Sequence, residues 1–264
     1  MTKPLISIIT VCYNEEKNIK KTCDSIAGQK YKDFEWIVVD GKSKDKTLDI
    51  IKKYKKDITS LTSEKDKGIY SAMNKGVSKS KGEYLLFLNG GDYLKDKNVL
   101  QKVFDFIKKD KKKNAIYYGD LIYDNGEIVD YSRAKLDKRF FINKTISHQA
   151  TFIKKNLFTK FGKYNEKYKI VSDYEFWIKA IVKEKVKTKY LPIIVSVFDL
   201  SGMSTNYKIA KQHIKERIEV MLKYKLINKK QSATLKRKWF ILGVLKKLGV
   251  YNFLRKNLRR IIWR

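Results

Sequence analysis

The first 110 residues of this chain repeat one order: an apolar run, a few polar residues and a segment with helical periodicity. Three apolar runs have the length of buried strands: residues 5–12, 34–40 and 84–88. Strands that alternate with helices of about ten residues are typical of βαβ units in a parallel sheet. Right-handed crossovers bring the carboxyl ends of such strands to one edge, where open α/β sheets bind ligands. We therefore expect Asn14, Asp40 and segment 89–92 to meet at this edge.

The same patterns predict the remaining elements. Helices are expected at residues 16–27, 45–54, 68–80 and 99–108, and a short strand at 58–61. Later segments predict a hairpin turning at 125–126, strands at 150–153 and 187–200, and a long helix at 206–225. A further helix is expected to begin near Ser172, with Ser172 as its N-cap and Glu175 completing a capping box. The second half is therefore organised differently from the first.

The chain is strongly basic. Its net charge of +32 arises from 60 Lys and Arg residues against 28 Asp and Glu residues. Such an excess attracts anions, such as phosphate groups, nucleic acid or an anionic lipid surface. The alternative is that lysines fill the solvated faces of helices without a specific partner. Neither GxGxxG nor GxxxxGK[ST] occurs, which argues against a Rossmann dinucleotide site and against a P-loop.

Cysteine usage and the amino terminus indicate a cytoplasmic location. Cys12 lies in an apolar run and Cys23 in a helical pattern, without the spacing of a metal site. Both are expected to be buried, reduced thiols. A strand follows Pro4 directly, which does not match a signal peptide. No apolar run approaches the roughly 18 residues that a membrane span needs, so we expect a soluble or peripheral protein.

The carboxyl-terminal segment differs in character. Residues 236–264 contain ten basic residues and no acidic one. Four apolar residues would share one face of a helix: Tyr251, Leu254, Leu258 and Ile261. This pattern predicts a basic amphipathic helix that lies on an anionic membrane surface, peripheral at the inner face of the cell membrane. The alternative is that the apolar face packs on the protein's own domain.

Polar residues at the ends of the first two strands are candidates for nucleotide binding. A carboxylate at Asp40 can accept hydrogen bonds from a ribose or a base edge, and Gly41 permits close backbone approach. Ser43 or Asp45 can cap the next helix, and the whole set is also compatible with an ordinary turn and cap. At the end of the first strand, the ring of Tyr13 can stack on a base beside neighbouring polar groups.

The sequence FLNGGD places one carboxylate, Asp92, behind two glycines. Such a loop can approach a diphosphate, and a hard divalent cation takes one or two carboxylates together with phosphate oxygens. The cation would neutralise the charge that develops on a departing nucleoside diphosphate. A plain turn before a helix is the competing interpretation.

Two further residues are candidates for acid–base chemistry. Asp173, in the first turn of a predicted helix, can act as a general base toward a hydroxyl. A carboxylate there also stabilises a helix N-terminus without any catalytic task. His148, beside Gln149 and ahead of a strand, can line a cleft, although a lone histidine is more often structural.

Together these segments resemble family 2 glycosyltransferases, over about residues 5–200. SIITVCYNEE resembles the opening strand, and VVDGKSKDKT resembles the family's V-D-G-S-x-D-x-T, with Lys42 inserted before Ser43. SEKDKGIYSAMNKG resembles E-x-D-x-G-I-Y-D-A-M-N-K-G of a subgroup that includes colanic-acid and capsule-type enzymes, with Ser71 replacing Asp. ISHQATFIKKNLF and SDYEFWIKA are similar to the acceptor half of that subgroup. The resemblance implies an α/β GT-A fold with a mostly parallel central sheet flanked by helices, plus C-terminal helices.

The resemblance also implies a domain plan. Residues 1–205 would form the catalytic domain, and residues 206–264 a helical, basic, amphipathic extension. Within the catalytic domain, residues 1–110 would bind the nucleotide-sugar and residues 111–205 the acceptor.

Residue roles follow from the same motifs. Nucleotide contacts are implied for Thr10, Tyr13, Asn14, Glu15, Asp40, Gly41, Ser43 and Asp66. Donor-sugar contacts are implied for Gly68, Asn74, Lys75, Asn89, Gly90 and Gly91. Asp92 matches the last residue of the metal-binding D-x-D, whose first acidic position is not acidic here. Asp173 matches the catalytic base of the E-D motif, with Ser172 replacing Glu, and His148 would orient the acceptor or support the leaving diphosphate.

The function implied is inverting transfer of a hexosyl or N-acetylhexosaminyl group from a nucleotide-sugar, with UDP favoured, to a saccharide hydroxyl. Mn²⁺ or Mg²⁺ would be the cofactor. The acceptor expected is a lipid-linked saccharide in surface polysaccharide biosynthesis, and no nucleic-acid partner is expected. Three alternatives stay open: a nucleotidyl or sugar-phosphate transferase on a similar sheet, a basic nucleic-acid-binding protein, and a catalytically inactive sugar-binding or scaffold protein.

Overall fold

A computed structural model describes residues 4–200 and 207–247. The chain divides into two compact units, residues 1–206 and 207–264. The first unit opens with β1 (Ile6–Cys12), α1 (Ile19–Ala27), β2 (Phe34–Asp40), α2 (Thr47–Lys52), β3 (Ser60–Ser63), α3 (Ile69–Lys79), β4 (Tyr84–Phe87), β5 (Tyr93–Leu94) and α4 (Val99–Lys109). It continues with β6 (Ile116–Tyr123), β7 (Ile128–Val129), α5 (Lys138–Asn143), β8 (Thr151–Lys154), α6 (Asn156–Phe161), α7 (Ser172–Trp177) and β9 (Thr188–Phe198). The second unit contains α8 (Tyr207–Lys223) and α9 (Lys229–Lys247).

The described strands form one sheet in the order β3-β2-β1-β4-β8-β6-β9-β5, and β7 pairs with β6. β1 is parallel to β2 and β4, and β2 is parallel to β3. β8 runs antiparallel to both β4 and β6, and thereby joins this parallel part to the second half. In register, Cys12 lies opposite Asp40, and Asp40 lies opposite Ser63. Three strand ends therefore coincide at the edge that the apolar runs predicted.

The parallel part of the sheet is a rigid platform. β1 and β4 are buried along their whole length, which explains why both are continuous apolar runs. α1 covers the sheet with Ile19, Cys23 and Ile26, which lie about one helical turn apart on one face. Full burial of an aliphatic side chain contributes about 1.5–3 kcal/mol. The loops that follow these strands are thus anchored at their base.

Aromatic packing fixes the helix that carries Asp173. Phe158 of α6 stacks on Phe176 of α7, with ring centroids 4.6 Å apart. Tyr164 packs against both rings, at 5.3 and 5.7 Å between centroids. Interlocked rings leave little freedom for α7 to rotate or slide, because tightly packed side chains resist displacement.

The structure corrects the expected capping box of α7. Val171, not Ser172, occupies the N-cap, because Glu175 N already donates to the Val171 carbonyl at 2.9 Å. The hydroxyl of Ser172 is buried and has no hydrogen-bond partner among the described residues. After Trp177 the helix widens into a π-helical turn at Ile178–Lys183.

Other boundaries also differ from the prediction. The helix expected at 16–27 begins at Ile19, after a turn in which the Glu15 carbonyl accepts from the backbone N–H groups of Asn18 and Ile19. Strand β5 has only two residues and was not predicted. Both cysteines are free and buried, as predicted.

In the second unit, α9 contains seven basic residues and no acidic one. The apolar face predicted for residues 251–261 lies outside the described residues. Within the parts that are described, no helix is both long enough and apolar enough to cross a bilayer.

Candidate active site

The loops after β1 and β2 are tied together by side chain–backbone hydrogen bonds. The backbone N–H of Asn14 donates to Ser43 Oγ at 2.9 Å, and the Lys44 N–H donates to Asn14 Oδ1 at 2.9 Å. The Glu15 N–H donates to Thr47 Oγ1 at 2.7 Å. Asn14 adopts a φ of 52°, a left-handed conformation that asparagine tolerates better than most residues. The sequence therefore builds one double loop from the two predicted nucleotide-binding segments.

Asp40 lies beneath this double loop and holds it. Its side chain is fully buried. Its carboxylate accepts from the Ser43 backbone N–H at 3.1 Å, from the Ser43 hydroxyl and, at 2.6 Å, from the Ser63 hydroxyl. Burial, and then the nearby charge of Asp40, raise the pKa of the Cys12 thiol far above its usual value. Asp40 is thus saturated by protein donors.

Thr10 also faces the interior. Its side chain is fully buried, and its Oγ1 accepts from Trp36 Nε1 at 3.0 Å. The structure therefore does not bring the Thr10 side chain to the exposed edge with the other predicted nucleotide-binding residues.

An exposed ring and a carboxylate flank Gly41. The side chain of Tyr13 is 55% exposed. A Cβ atom placed on Gly41 would stand 2.8 Å from Asp66 Oδ2 and 3.2 Å from Tyr13 Cδ2. Asp66 Oδ1 accepts from the Gly68 N–H at 2.8 Å, and Gly68 has a φ of 125° that a side chain would strain. A side chain at position 41 would therefore crowd both the Tyr13 ring and the Asp66 carboxylate.

Two residues of α3 that were predicted to contact the donor sugar are engaged by the protein. Asn74 is 7% exposed; its Nδ2 donates to the Tyr164 carbonyl at 2.8 Å, and its Oδ1 accepts from the Tyr164 N–H at 2.9 Å. Its amide also lies 3.0 Å from Glu166 Oε1. Asn74 therefore clamps α3 to the loop before α7. Lys75 pairs with Glu64 at 2.9 Å on the rim.

The glycines of the FLNGGD loop allow close packing. A Cβ on Gly90 would meet Cys12 and Glu15 carbon atoms at 3.1 Å. Gly91 has a φ of 96°, and a Cβ there would lie 2.9 Å from Asp199 Oδ2. These two residues bring the loop against the end of β1 and against the residue that follows β9.

Asp92 is buried among other carboxylates. Its oxygens accept from Gln149 Nε2 and from the Asp199 N–H, each at 3.1 Å. Burial raises the pKa of Asp92 to about 6 in spite of these hydrogen bonds. Burial, and then the charges of Asp199 and Asp92, raise the pKa of Glu15 to about 7. Sequence reasoning missed Asp199, which follows β9 and carries no motif.

This environment fits a hard divalent cation in its chemistry. Carboxylate oxygens are the ligands that Mg²⁺ and Mn²⁺ prefer, and a bound cation would stabilise the charged forms of Asp92 and Glu15, which burial disfavours. No group of three or more His, Cys, Asp or Glu side chains in the described residues is arranged to bind a metal by itself. A cation at Asp92 would therefore need phosphate oxygens to complete its coordination.

A chain of hydrogen bonds joins the two halves of the first unit. Asp173 Oδ2 lies 3.0 Å from His148 Nδ1, and His148 Nε2 lies 3.1 Å from Asn89 Nδ2. The Tyr70 hydroxyl lies 2.9 Å from Asp173 Oδ1. A proton on His148 Nδ1 satisfies both contacts of the ring, donating to Asp173 and accepting from Asn89. Tyr70 is, after Asp199, the second residue of the site that the sequence did not predict, although it lies within the GIYSAMNKG motif.

The environment of Asp173 favours its charged form. Its side chain is 15% exposed, and burial acts to raise its pKa. The hydrogen bond and charge of His148, the Tyr70 hydroxyl and the Tyr174 N–H outweigh burial and hold the pKa of Asp173 below its usual value. The pKa values of the buried Asp92 and the partly exposed Asp173 are thus shifted in opposite directions.

This sheet, with polar loops at the edge of its parallel strands, is the fold of nucleotide-sugar transferases of the GT-A class. Staphylococcus aureus TarS 1–349 in complex with UDP-GlcNAc matches it with a TM-score of 0.67 and 20% identity, over 91% of this chain and 72% of that chain. Mannosyltransferase PcManGT from Pyrobaculum calidifontis, in complex with GDP-Man and Mn²⁺, matches with a TM-score of 0.62 and 16% identity, over 86% of this chain and 66% of that one. The GT-A prediction is confirmed.

The sequence comparison is more specific. The profile of Glycosyl transferase family 2 matches residues 7–187, and the chain belongs to this family. The PGL/p-HBAD biosynthesis glycosyltransferase of Mycobacterium tuberculosis strain H37Rv is 32% identical over 218 residues, which cover 81% of this chain and 84% of that protein. An uncharacterized glycosyltransferase of Methanocaldococcus jannaschii is 31% identical over 196 residues, covering 70% and 67%. The chain is therefore a glycosyltransferase, as the motifs predicted.

Proposed function

We propose that this glycosyltransferase inverts the anomeric centre as it moves a hexosyl or N-acetylhexosaminyl group from a UDP-linked donor to a saccharide hydroxyl. The observation that carries this proposal is the hydrogen-bonded pair of Asp173 and His148. It provides a partly exposed carboxylate with a lowered pKa, linked through His148 and Asn89 to the glycine loop of the donor half. A base held on one side of the donor and a diphosphate site on the other are what a single displacement requires.

On the donor side, the nucleotide would lie over the double loop that contains Asn14 and Ser43. Gly90 and Gly91 let the FLNGGD backbone approach the diphosphate. Asn89 Oδ1 is buried and without a hydrogen-bond partner among the described residues, so it can accept from a donor-sugar hydroxyl. Asp92, with Glu15 nearby, would hold Mn²⁺ or Mg²⁺. When bound, this ion would stabilise the charge on the leaving diphosphate.

On the acceptor side, Asp173 would remove the proton of the acceptor hydroxyl while the hydroxyl oxygen attacks C1 of the donor sugar. The bond from C1 to the diphosphate breaks on the opposite face, so the configuration inverts. His148 keeps Asp173 oriented and deprotonated, and its ring holds the proton on Nδ1. The Tyr70 hydroxyl lies 2.9 Å from the other carboxylate oxygen and 2.7 Å from the Ile170 carbonyl, and its one proton is shared between these two acceptors.

The acceptor we propose is a lipid-linked saccharide in the synthesis of a surface polysaccharide or glycolipid. Two observations support this. The M. tuberculosis relative is named for PGL/p-HBAD biosynthesis, and the basic residues after 236 are suited to an anionic membrane surface. Removal of residues 237–264 should then release the protein from anionic vesicles. Unchanged vesicle binding would contradict the membrane role of this segment.

A donor screen tests the proposal. Melting temperatures are measured with UDP-, GDP-, dTDP- and CDP-linked sugars, with and without Mn²⁺, because a ligand that binds only the folded state raises Tm. We expect a metal-dependent rise with a UDP-sugar, followed by its hydrolysis or transfer. No shift with any nucleotide-sugar, in Mn²⁺ or in Mg²⁺, would contradict the proposed function.

A further inference from the structure

The register of β8 against β4 brings a short turn to the FLNGGD loop. β8 runs antiparallel to β4, with Leu85 opposite Ile153. Continued past the ends of both strands, this register places the 3₁₀ turn His148–Ala150 beside the loop that follows β4, since antiparallel partners advance in opposite directions. The turn is anchored at its base, because the Thr151 hydroxyl donates to the Ser147 carbonyl at 2.7 Å. Two consecutive side chains of the turn therefore reach the loop.

These two side chains contact the loop at two points. His148 Nε2 lies 3.1 Å from Asn89 Nδ2. Gln149 Nε2 donates to Asp92 Oδ2, also at 3.1 Å, and both side chains of this second contact are buried. His148 has a place in the proposed mechanism through Asp173, whereas the contact of Gln149 with Asp92 has no assigned role.

The carboxylate of Asp92 is held from two sides. Gln149 binds Oδ2, and the backbone N–H of Asp199 binds Oδ1 at 3.1 Å. Each carboxylate oxygen can accept about two hydrogen bonds, so each keeps capacity for one further partner. One donor on each oxygen restrains rotation of the group and directs the remaining capacity. Because the Asp199 donor belongs to the main chain, Gln149 is the side chain that completes this arrangement.

The chemistry of this donor matters as well. The chain contains 60 Lys and Arg residues, yet the side chain that donates to Asp92 among the described residues is a neutral amide. A lysine here would form an ion pair with Asp92 and offset the negative charge that attracts a cation. An amide donates a hydrogen bond and leaves the carboxylate its full charge. Hydrogen-bond partners behind metal ligands orient them, and their loss lowers metal affinity about 10–100-fold.

We propose that Gln149 is a positioning residue, whose amide orients the Asp92 carboxylate for a divalent cation shared with the diphosphate of the donor. Gln149 acts through Asp92 and does not touch the substrate. Since His148 is its neighbour in the same turn, one short segment positions the cation ligand of the donor half and the base of the acceptor half. This inference rests on the proposed function, because it requires a nucleoside diphosphate and a cation at the FLNGGD loop.

Calorimetric titration of UDP, once with Mn²⁺ and once with EDTA, tests this role. The ratio of the Kd in EDTA to the Kd in Mn²⁺ measures how much the cation adds to nucleotide affinity. Gln149→Met has a side chain of similar length and no N–H donor, and should lower this ratio about tenfold, or to one. Its Kd in EDTA should equal that of wild type, because the contact serves the cation and not the nucleotide.

Three further variants separate positioning from structural support. Gln149→Asn keeps a buried amide but is one methylene shorter, so it does not reach Asp92 and should lower the ratio as Gln149→Met does. Gln29→Met removes another buried amide, which bonds to main-chain groups, and should lower Tm but keep the wild-type ratio. Gln101→Met removes an exposed hydrogen bond from a glutamine to an aspartate, Asp105, and should leave both quantities close to wild type.

The outcomes separate this inference from the proposed function. A wild-type ratio that is retained in both Gln149 variants would overturn the positioning role and leave the proposal of UDP binding in place. An equal fall of the ratio in Gln29→Met would also overturn it, because loss of any buried amide would then suffice. Binding of UDP by wild type with a ratio of one would contradict the cation on which the inference depends. Failure of wild type to bind UDP at all would contradict the proposed function and, with it, this inference.

Discussion

Two carboxylates of the site, the buried Asp92 in the donor half and the partly exposed Asp173 in the acceptor half, have opposite electrostatic environments. Asp92 lies near Asp199 and Glu15, and burial raises its pKa to about 6. Asp173 lies against His148 and Tyr70, which hold its pKa below the usual value although burial opposes them. The carboxylates around Asp92 favour the binding of a cation. The hydrogen-bond donors around Asp173 stabilise its deprotonated form, which can act as a base. Burial acts to raise the pKa of both carboxylates, and only at Asp173 do the neighbouring groups outweigh it.

The largest effect is expected from Asp173→Asn. The amide cannot accept a proton from the acceptor hydroxyl, so kcat should fall by about 10²–10⁴-fold, the usual contribution of general base catalysis. The Kd for UDP should stay at its wild-type value, because Asp173 lies outside the nucleotide loops. Steady-state kinetics and calorimetry measure the two quantities. Glu184→Gln, an exposed carboxylate after the same helix, serves as the control, and retained turnover in Asp173→Asn would show that another group is the base.

Asp92→Asn should act on binding rather than on proton transfer. Without the carboxylate, the stimulation of UDP affinity by Mn²⁺ should be lost, since the ion then has only phosphate oxygens and weaker neighbours. Titrations of UDP with Mn²⁺ and with EDTA measure this difference. If the metal-dependent gain in affinity is the same in the variant and in wild type, Asp92 does not hold the ion.

His148→Leu should change the pH dependence of transfer. His148 lowers the pKa of Asp173 and thereby opposes the effect of burial. Without the histidine, the pKa of Asp173 should rise. A base must be deprotonated, so the acid limb of kcat/KM should move to higher pH, whereas His148→Gln, which can still donate, should move it less. Rates measured between pH 4 and pH 8 provide the test. An acid limb at the same pH in both variants and in wild type would remove His148 from this role.

The smallest effect on chemistry is expected from Asn74→Ala. Its amide oxygen and nitrogen both bond to the Tyr164 backbone, so loss of this clamp should destabilise the fold by about 1–3 kcal/mol. Urea unfolding measures this loss, and the Kd of the folded variant for the donor should be unchanged. A weaker donor Kd at unchanged stability would instead support the donor-sugar contact that the resemblance implied for Asn74.

The sequence predicted those parts of the site that depend on local order. Apolar runs followed by polar residues located the ends of β1, β2 and β4, because a buried strand and its loop are contiguous in sequence. The partners of these residues are distant in sequence: Asp199 donates to Asp92 across 107 residues, and Tyr70 reaches Asp173 across 103 residues. Such contacts are set by strand order, which a single sequence does not specify.

The same reason explains the residues whose environment was not predicted. Asp40 and Asn74 have the polar side chains that a ligand would need, but Ser63 and Tyr164 satisfy them within the protein. Motif matching identifies the position of a residue and not whether its hydrogen bonds are already made. Serine is a residue type that favours the N-cap position. Here, however, Val171 is the N-cap, and Ser172 lies buried in the first turn of the helix.

The stereochemistry of a single transfer tests the central claim most directly. With the donor sugar found in the screen and its acceptor, the anomeric configuration of the first product is read by NMR. A single displacement by a hydroxyl that Asp173 deprotonates predicts a product whose configuration is opposite to that of the donor. A product with the donor's own configuration would contradict the account.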